Sequence, residues 1–343
     1  MAAKYAKDQP AGFTNRIERV AIVGAGGSVG KYIAEELLKT GKHTITALSR
    51  PGSTSKIPEG IRTVTVDYDD EVSLVAALKD QQVLIITMSV RAPPDTHHRL
   101  VVAAARAGVP YVMPNCFSWV IPNDRVRREA VVAEGPAAAI RDIEAQGVSA
   151  WIALASSFWY EYSLSGGYTR SGPDLYGFDF ASRTVTFFDN EDGTLSKINT
   201  STWRQCGRAV AALLSLKGLP EDENDTGPTV SKWRNQPLRI SSFFISQRDM
   251  LDSVHRVLGT TDADWKILQE PIVERYNKAI EAMKAGDRSA YGRAMYSRIF
   301  FADAAAEELH YASAAGVANE ELGLPKEDLD EATRRGIDMA EGR

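Results

Sequence analysis

Along the first half of the chain, short apolar runs alternate with stretches whose apolar residues recur at helical spacing. Val20–Val23, His43–Leu48, Val64–Val66, Val83–Thr87, Val109–Met113 and Ser149–Ala155 read as strands. Gly30–Leu38, Val72–Leu78, Thr96–Ala107 and Ala137–Gln146 read as helices, the last two stopping at Gly108 and Gly147. Regular β-α alternation demands parallel strands joined by crossover helices. The pattern therefore predicts an α/β fold, a doubly wound parallel sheet, with ligand at the carboxyl ends of its strands.

After about residue 156 the pattern changes. Phe158–Phe180 is rich in Tyr, Phe, Trp, Gly and Ser and has no clear period. Arg183–Phe188 and Ser196–Asn199 flank Asp189–Gly193 and predict a hairpin with a glycine-containing turn. Trp203–Leu216 reads as a helix and Leu238–Ile245 as a strand returning to the sheet. Arg248–Leu258 and Pro271–Lys284 read as amphipathic helices. This divides the chain into a sheet domain over residues 1–157, with returning elements near 200–218 and 236–258, and a smaller discontinuous α+β part over 158–199 and 259–343. Apolar faces after residue 285 fit either a cap over a cleft or an interface.

The stretch Gly24-Ala25-Gly26-Gly27-Ser28-Val29-Gly30 follows the first strand directly and opens a helix. Glycines spaced this way permit a tight turn, close approach of backbone N–H groups to a pyrophosphate, and close helix–strand packing. The helix start adds partial positive charge for phosphates. A dinucleotide cofactor is the expected ligand. The second strand ends in Ser49-Arg50-Pro51-Gly52-Ser53, with Lys56 close behind and no carboxylate in that window. Arg50 can fork onto a 2′-phosphate and Lys56 can add a point charge, which favours NADP(H). Asp67 either accepts from the adenine amino group or caps the following helix.

Composition narrows the partners. The 343 residues are 44% hydrophobic and 25% charged, with a net charge of −5. That weakly acidic balance argues against a nucleic-acid or anionic-membrane surface. No apolar run is long enough to span a bilayer, and the first sixteen residues lack the apolar core of a signal peptide. Two cysteines, Cys116 and Cys206, imply no disulfide framework or metal site and suit a reducing cytoplasm.

Several motifs together resemble the NmrA-like and isoflavone-reductase-like branch of the atypical short-chain dehydrogenases. They are the glycine turn, Ser49-Arg50, Val66-Asp67-Tyr68-Asp69, Tyr111–Phe117, Ile140-Arg141-x-x-Glu144-x-x-Gly147 and Ser157-Phe158-x-x-Glu161-Tyr162. The resemblance spans roughly residues 18–285. It implies a Rossmann sheet of about seven strands, NADP(H) binding, and a cleft in which Thr87, Met88, Asn115 and Phe158 line the ribose and nicotinamide. It also implies either a reductase of aromatic secondary metabolites or a non-catalytic redox-sensing regulator that binds a protein partner. Where the reductases carry their catalytic lysine, this chain has Ala137, and no lysine occurs between Lys79 and Lys197.

Carbonyl reduction needs a hydride and a proton donor worth about 10²–10⁴-fold in rate. Reduction of an iminium ion needs no proton in that step, because hydride transfer neutralises the substrate's own charge. The expectation is therefore an NADP(H)-dependent reductase acting on an aromatic or alkaloid-like substrate, with an iminium or enone favoured. Redox-coupled cyclisation is a sharper version of it. Tyr160, Tyr162 and Glu161 are the candidate catalytic groups; Trp159, Tyr168, Tyr176 and Cys116 are candidate substrate contacts. A cleft plugged by Trp159 or Tyr160 is the expected mark of a sensor. Oligomeric state is not legible.

Overall fold

The computed structural model describes residues 4–89, 92–121, 123–131, 134–167, 174–303, 309–311 and 316–343. Its strands are β1 (Arg19–Val23), β2 (Thr44–Ser49), β3 (Arg62–Thr65), β4 (Val83–Ile86), β5 (Tyr111–Met113), β6 (Ala150–Ala155), β7 (Phe158–Trp159), β8 (Phe178–Asp179), β9 (Thr184–Asp189), β10 (Ile198–Ser201), β11 (Gln236–Arg239), β12 (Phe243–Ile245) and β13 (Lys266–Pro271). The helices are α1 (Ser28–Thr40), α2 (Glu71–Leu78), α3 (Thr96–Ala107), α4 (Asp124–Glu129), α5 (Glu134–Gln146), α6 (Tyr160–Leu164), α7 (Trp203–Leu214), α8 (Gln247–Leu258), α9 (Ile272–Lys284) and α10 (Ala290–Arg298). A last helix, α11, covers Leu329–Glu341.

Seven strands form one parallel sheet in the order β11-β6-β5-β4-β1-β2-β3. Its central strands are apolar at consecutive positions because helices cover both faces. Val20, Ile22, Val83 and Ile85 pack with α1 and α7. Ala21, Val23, Leu84 and Ile86 pack with α2, α3 and α5 on the opposite face. The doubly wound reading is correct. The order reverses between β1 and β4, so the crevice at the carboxyl ends opens there, beside the glycine turn.

Two sequence readings need correction. The Arg183–Asn199 hairpin does not form as a ladder. The turn closes through Asn190 and Thr194, and Asp189 bridges Leu195, but the strands then diverge into different sheets. β9 lies between β13 and β8, whereas β10 lies between β12 and β7. The returning strand read over Leu238–Ile245 is also two strands. β11 closes the large sheet against β6, and β12 joins the small sheet against β10.

A third apolar core, built around Tyr160, Tyr176, Phe178, Phe188, Met250 and Tyr296, holds the smaller part together. The C-terminal residues pack against Phe158 and the end of β6. Tyr296, in α10, stacks on Phe158 with ring centroids 3.8 Å apart. Tyr311 donates its hydroxyl hydrogen bond to the Ala155 carbonyl at 2.8 Å. Trp119 donates to the Leu309 carbonyl at 3.1 Å. The chain near residue 310 thus lies over the end of β6.

Candidate functional site

The glycine turn is built as its spacing requires. Gly24 adopts φ 83°, a left-handed conformation that L side chains rarely adopt. A Cβ on Gly30 would sit 2.1 Å from the Gly24 carbonyl oxygen and 2.5 Å from Thr87 Oγ1. Thr87 braces this turn by donating to the Val23 carbonyl at 2.8 Å and approaching the Gly24 carbonyl at 3.1 Å. Gly27 is the N-cap of α1 and offers no side chain to cap it, and the first turn holds no acidic residue. A phosphate is the natural complement of such a helix start. These residues fit a dinucleotide.

At the end of β2, neither Arg50 nor Lys56 forms an ion pair among the described residues, so both cations are uncommitted. The Ser55–Lys56 backbone lies against Gly26, where an added Cβ would come within 2.8 Å of the Lys56 carbonyl oxygen. The loop that carries the charges therefore borders the turn that would hold the pyrophosphate. The helix-cap reading of Asp67 gives way: Asp70 caps α2 through Val72 N–H, while Asp67 accepts from Asp69 N–H at 2.9 Å. Further along the crevice, Asn115 Nδ2 donates to the Met88 carbonyl at 3.2 Å.

The chain leaves β6 through Ser157, a non-glycine residue at φ 58°. Its hydroxyl donates to the Asn199 carbonyl at 2.6 Å and its N–H to the Ser118 carbonyl at 3.0 Å. These bonds hold a conformation that costs about 1–2 kcal/mol. The turn sends the next five residues into two environments. Phe158 and Tyr160 enter the core. The Tyr160 hydroxyl lies 2.7 Å from Thr333 Oγ1 in α11, and burial raises its pKa. Tyr176 is equally buried and donates to Thr200 Oγ1 at 3.0 Å. The expectations of Tyr160 as proton donor and Tyr176 as substrate contact do not fit these placements, because both hydroxyls are enclosed and bonded. Cys116 donates to the Trp119 carbonyl at 3.7 Å, and burial pushes its thiol up to about 12, so it is a packed thiol rather than a contact. Tyr168 lies outside the described residues.

Trp159 and Tyr162 face the other way. Both are half-buried and meet Trp203, the first residue of α7, at centroid distances of 5.8 and 6.1 Å. Tyr32 stacks on the same Trp203 at 6.1 Å. Tyr32 is four residues after Ser28, so this four-ring group begins about 6 Å along α1 from its first residue. Two members, Tyr32 and Trp203, have no local pattern in the sequence that marks them.

Between Tyr160 and Tyr162 lies Glu161, 3% exposed. Arg335 Nε approaches its Oε1 at 3.4 Å, while Oε2 is buried and has no hydrogen-bond partner among the described residues. The indole N–H groups of Trp159 and Trp203 are likewise buried without a hydrogen-bond partner among the described residues. Burial pushes the Glu161 carboxyl up to about 7, and Glu327 adds to the rise. The Arg335 charge and the Trp203 backbone N–H pull the other way. Glu327 itself is fully engaged, accepting from Thr202 at 2.8 and 2.9 Å, from Ser242, and from Arg208 at 3.2 Å. Glu161 is thus a poorly satisfied carboxyl able to hold a proton near neutrality.

Comparison with known proteins agrees with the geometry. A family model described as NAD(P)H-binding matches residues 24–114. Oxidoreductase aprR of Aspergillus flavus is 26% identical over 323 residues, covering 91% of this chain and 96% of that protein. The solved structure of isoflavone reductase matches with a TM-score of 0.66 at 17% identity, over 93% of this chain and 99% of that one. AtPrR2, solved with NADP⁺ and (+)pinoresinol, matches at 0.64 with 16% identity, over 94% and 99%. At such identities the two structures establish the fold. No helix among the described residues is long and apolar enough to cross a membrane.

Proposed function

We propose that this chain is an oxidoreductase of the isoflavone-reductase-like type, carrying out NADP(H)-dependent reduction of a flat aromatic or alkaloid-like substrate, with an iminium or enone favoured. The observation that carries this reading is the aromatic group of Tyr32, Trp159 and Tyr162, all half-buried, around the buried Trp203, with the buried carboxyl of Glu161 in the same segment and the start of α1 one helical turn away.

The bound nicotinamide supplies the hydride. The chain's own residues bind and orient. The α1 start and glycine turn take the pyrophosphate. Arg50 and Lys56 take the 2′-phosphate. Thr87, Met88 and Asn115 flank the ribose and nicotinamide. Ring faces attract a cation, and their flat surfaces exclude water from a flat substrate. For an iminium, no proton moves in the hydride step. For an enone, Glu161 holds the proton that the product takes up, with Tyr162 beside it. This division of labour needs no lysine. The same orienting surface also suits a redox-gated cyclisation, in which the rings fold a reactive intermediate into one stereoisomer.

A second reading, a redox-sensing regulator with a protein partner, has its own support. Tyr296 stacks against Phe158, and Tyr311 covers the end of β6, so part of the space at the sheet end is filled by the chain itself. The two readings separate by binding. Arg50→Ala is expected to weaken NADPH by about 10–100-fold, the worth of charge-assisted hydrogen bonds of roughly 1.5–3 kcal/mol, and to leave NADH unchanged. Calorimetric titration of both nucleotides checks it. Equal losses for NADH and NADPH contradict the 2′-phosphate role. Equal affinities of the wild type for NAD⁺ and NADP⁺, with weak binding of the reduced forms, favour the sensor.

A further inference from the structure

β13 is an edge strand of its sheet. The small sheet runs β13-β9-β8, and among the described residues no strand pairs with the free edge of β13. Five of its six residues are exposed, including Ile267 at 37% and Leu268 at 40%, which point to opposite faces of the sheet. Val273, just beyond, is 41% exposed. An edge strand that is apolar on both faces invites pairing with another strand.

Its sequence, Lys266-Ile267-Leu268-Gln269-Glu270-Pro271, is complementary to itself in one antiparallel register. A two-fold axis at Leu268 sets Leu268 opposite Leu268 of a second copy and Ile267 opposite Gln269. Lys266 then faces Glu270, and symmetry makes that opposite-charge pair twice. The hydrogen-bond phase agrees. Lys266 N–H donates inward to the Arg183 carbonyl at 2.9 Å, so residues 266, 268 and 270 bond toward β9. Ile267 and Gln269 therefore present their N–H and C=O groups outward, and they are the pair that exchanges hydrogen bonds in this register. Pro271, which lacks an N–H, ends the outward ladder.

We propose that two copies of this chain associate through β13, antiparallel and centred on Leu268, making one six-stranded sheet from two three-stranded ones. The face is remote in sequence from the nucleotide site, so the proposal is independent of the catalytic reading.

The test is crosslinking in a defined register. In a non-hydrogen-bonded antiparallel pair, Cα atoms lie about 4.5 Å apart, within disulfide reach. Leu268→Cys is expected to give a covalent dimer on mild oxidation of the full chain at about 100 μM. Lys266→Cys is expected to give none, because its own symmetry mate lies roughly 14 Å away. The native thiols, Cys116 and Cys206, are buried and do not interfere. Sedimentation velocity of the uncrosslinked protein is expected to show a dimer that Gln269→Pro dissociates, since the outward N–H is lost while the β9 ladder stays. Circular dichroism confirms that each variant folds. A monomeric wild type, a dimer that Leu268→Cys fails to trap, or equal crosslinking at both positions overturns the proposal.

Discussion

Gly30→Ala is expected to lower cofactor affinity by at least about 100-fold and to cost about 1–3 kcal/mol of stability. The added methyl would lie 2.1 Å from the Gly24 carbonyl oxygen and 2.5 Å from Thr87 Oγ1. Neither atom is the loose end of a flexible side chain. The carbonyl belongs to the turn, and Thr87 is fixed by its bond to Val23. The turn must therefore open, and the N–H groups that would meet the pyrophosphate move with it. Gly135→Ala is the control: an added Cβ there has no atom within 4 Å, and its φ lies in the ordinary region. Fluorescence titration of NADPH and urea unfolding of both variants check the pair. Undiminished NADPH affinity in Gly30→Ala contradicts the assignment of this turn.

Glu161→Gln is expected to stabilise the protein by roughly 3 kcal/mol at pH 8 and to have no effect below about pH 4. The sign follows from the direction of the shift. The folded carboxyl is raised from 4.5 to about 7, so between those values the folded state binds more protons than the unfolded state. Stability therefore falls as pH rises through this window and stays lower above it. An amide removes the cost of an ionised buried group while keeping its shape. Denaturant unfolding across that pH range measures it. The same variant is expected to slow enone reduction by about 10²–10⁴-fold and to spare iminium reduction. Stability that is independent of pH in both proteins contradicts a neutral-range carboxyl.

Much of this was legible in the chain. Val20–Val23 and Val83–Thr87 are apolar at every position or nearly so, which only a strand covered on both faces requires, and the sheet follows from them. The glycine turn was legible because its conformation is set by local backbone and short spacing. The aromatic segment was legible only as an aromatic segment. Trp159 and Tyr160 are neighbours, yet one faces a half-buried ring group and the other the core. What decides between them arrives from far away: Trp203 from α7, Thr333 and Arg335 from α11, Tyr296 from α10. No period within Phe158–Tyr162 encodes those partners. The hairpin failed for a related reason. The turn at Asn190–Thr194 is local and forms, but which sheet each arm joins is set by β13 and β12, which lie about fifty or more residues further along the chain.

We propose that this site delivers hydride to a flat, electron-poor aromatic substrate. Single-turnover reaction of NADPH carrying deuterium at the transferable position, with a panel of aromatic iminium ions, enones and ketones, tests it most directly. Deuterium is expected in the iminium and enone products, with poor transfer to ketones and loss of enone transfer alone in Glu161→Gln. Tight nucleotide binding with no deuterium transferred to any member of the panel contradicts it.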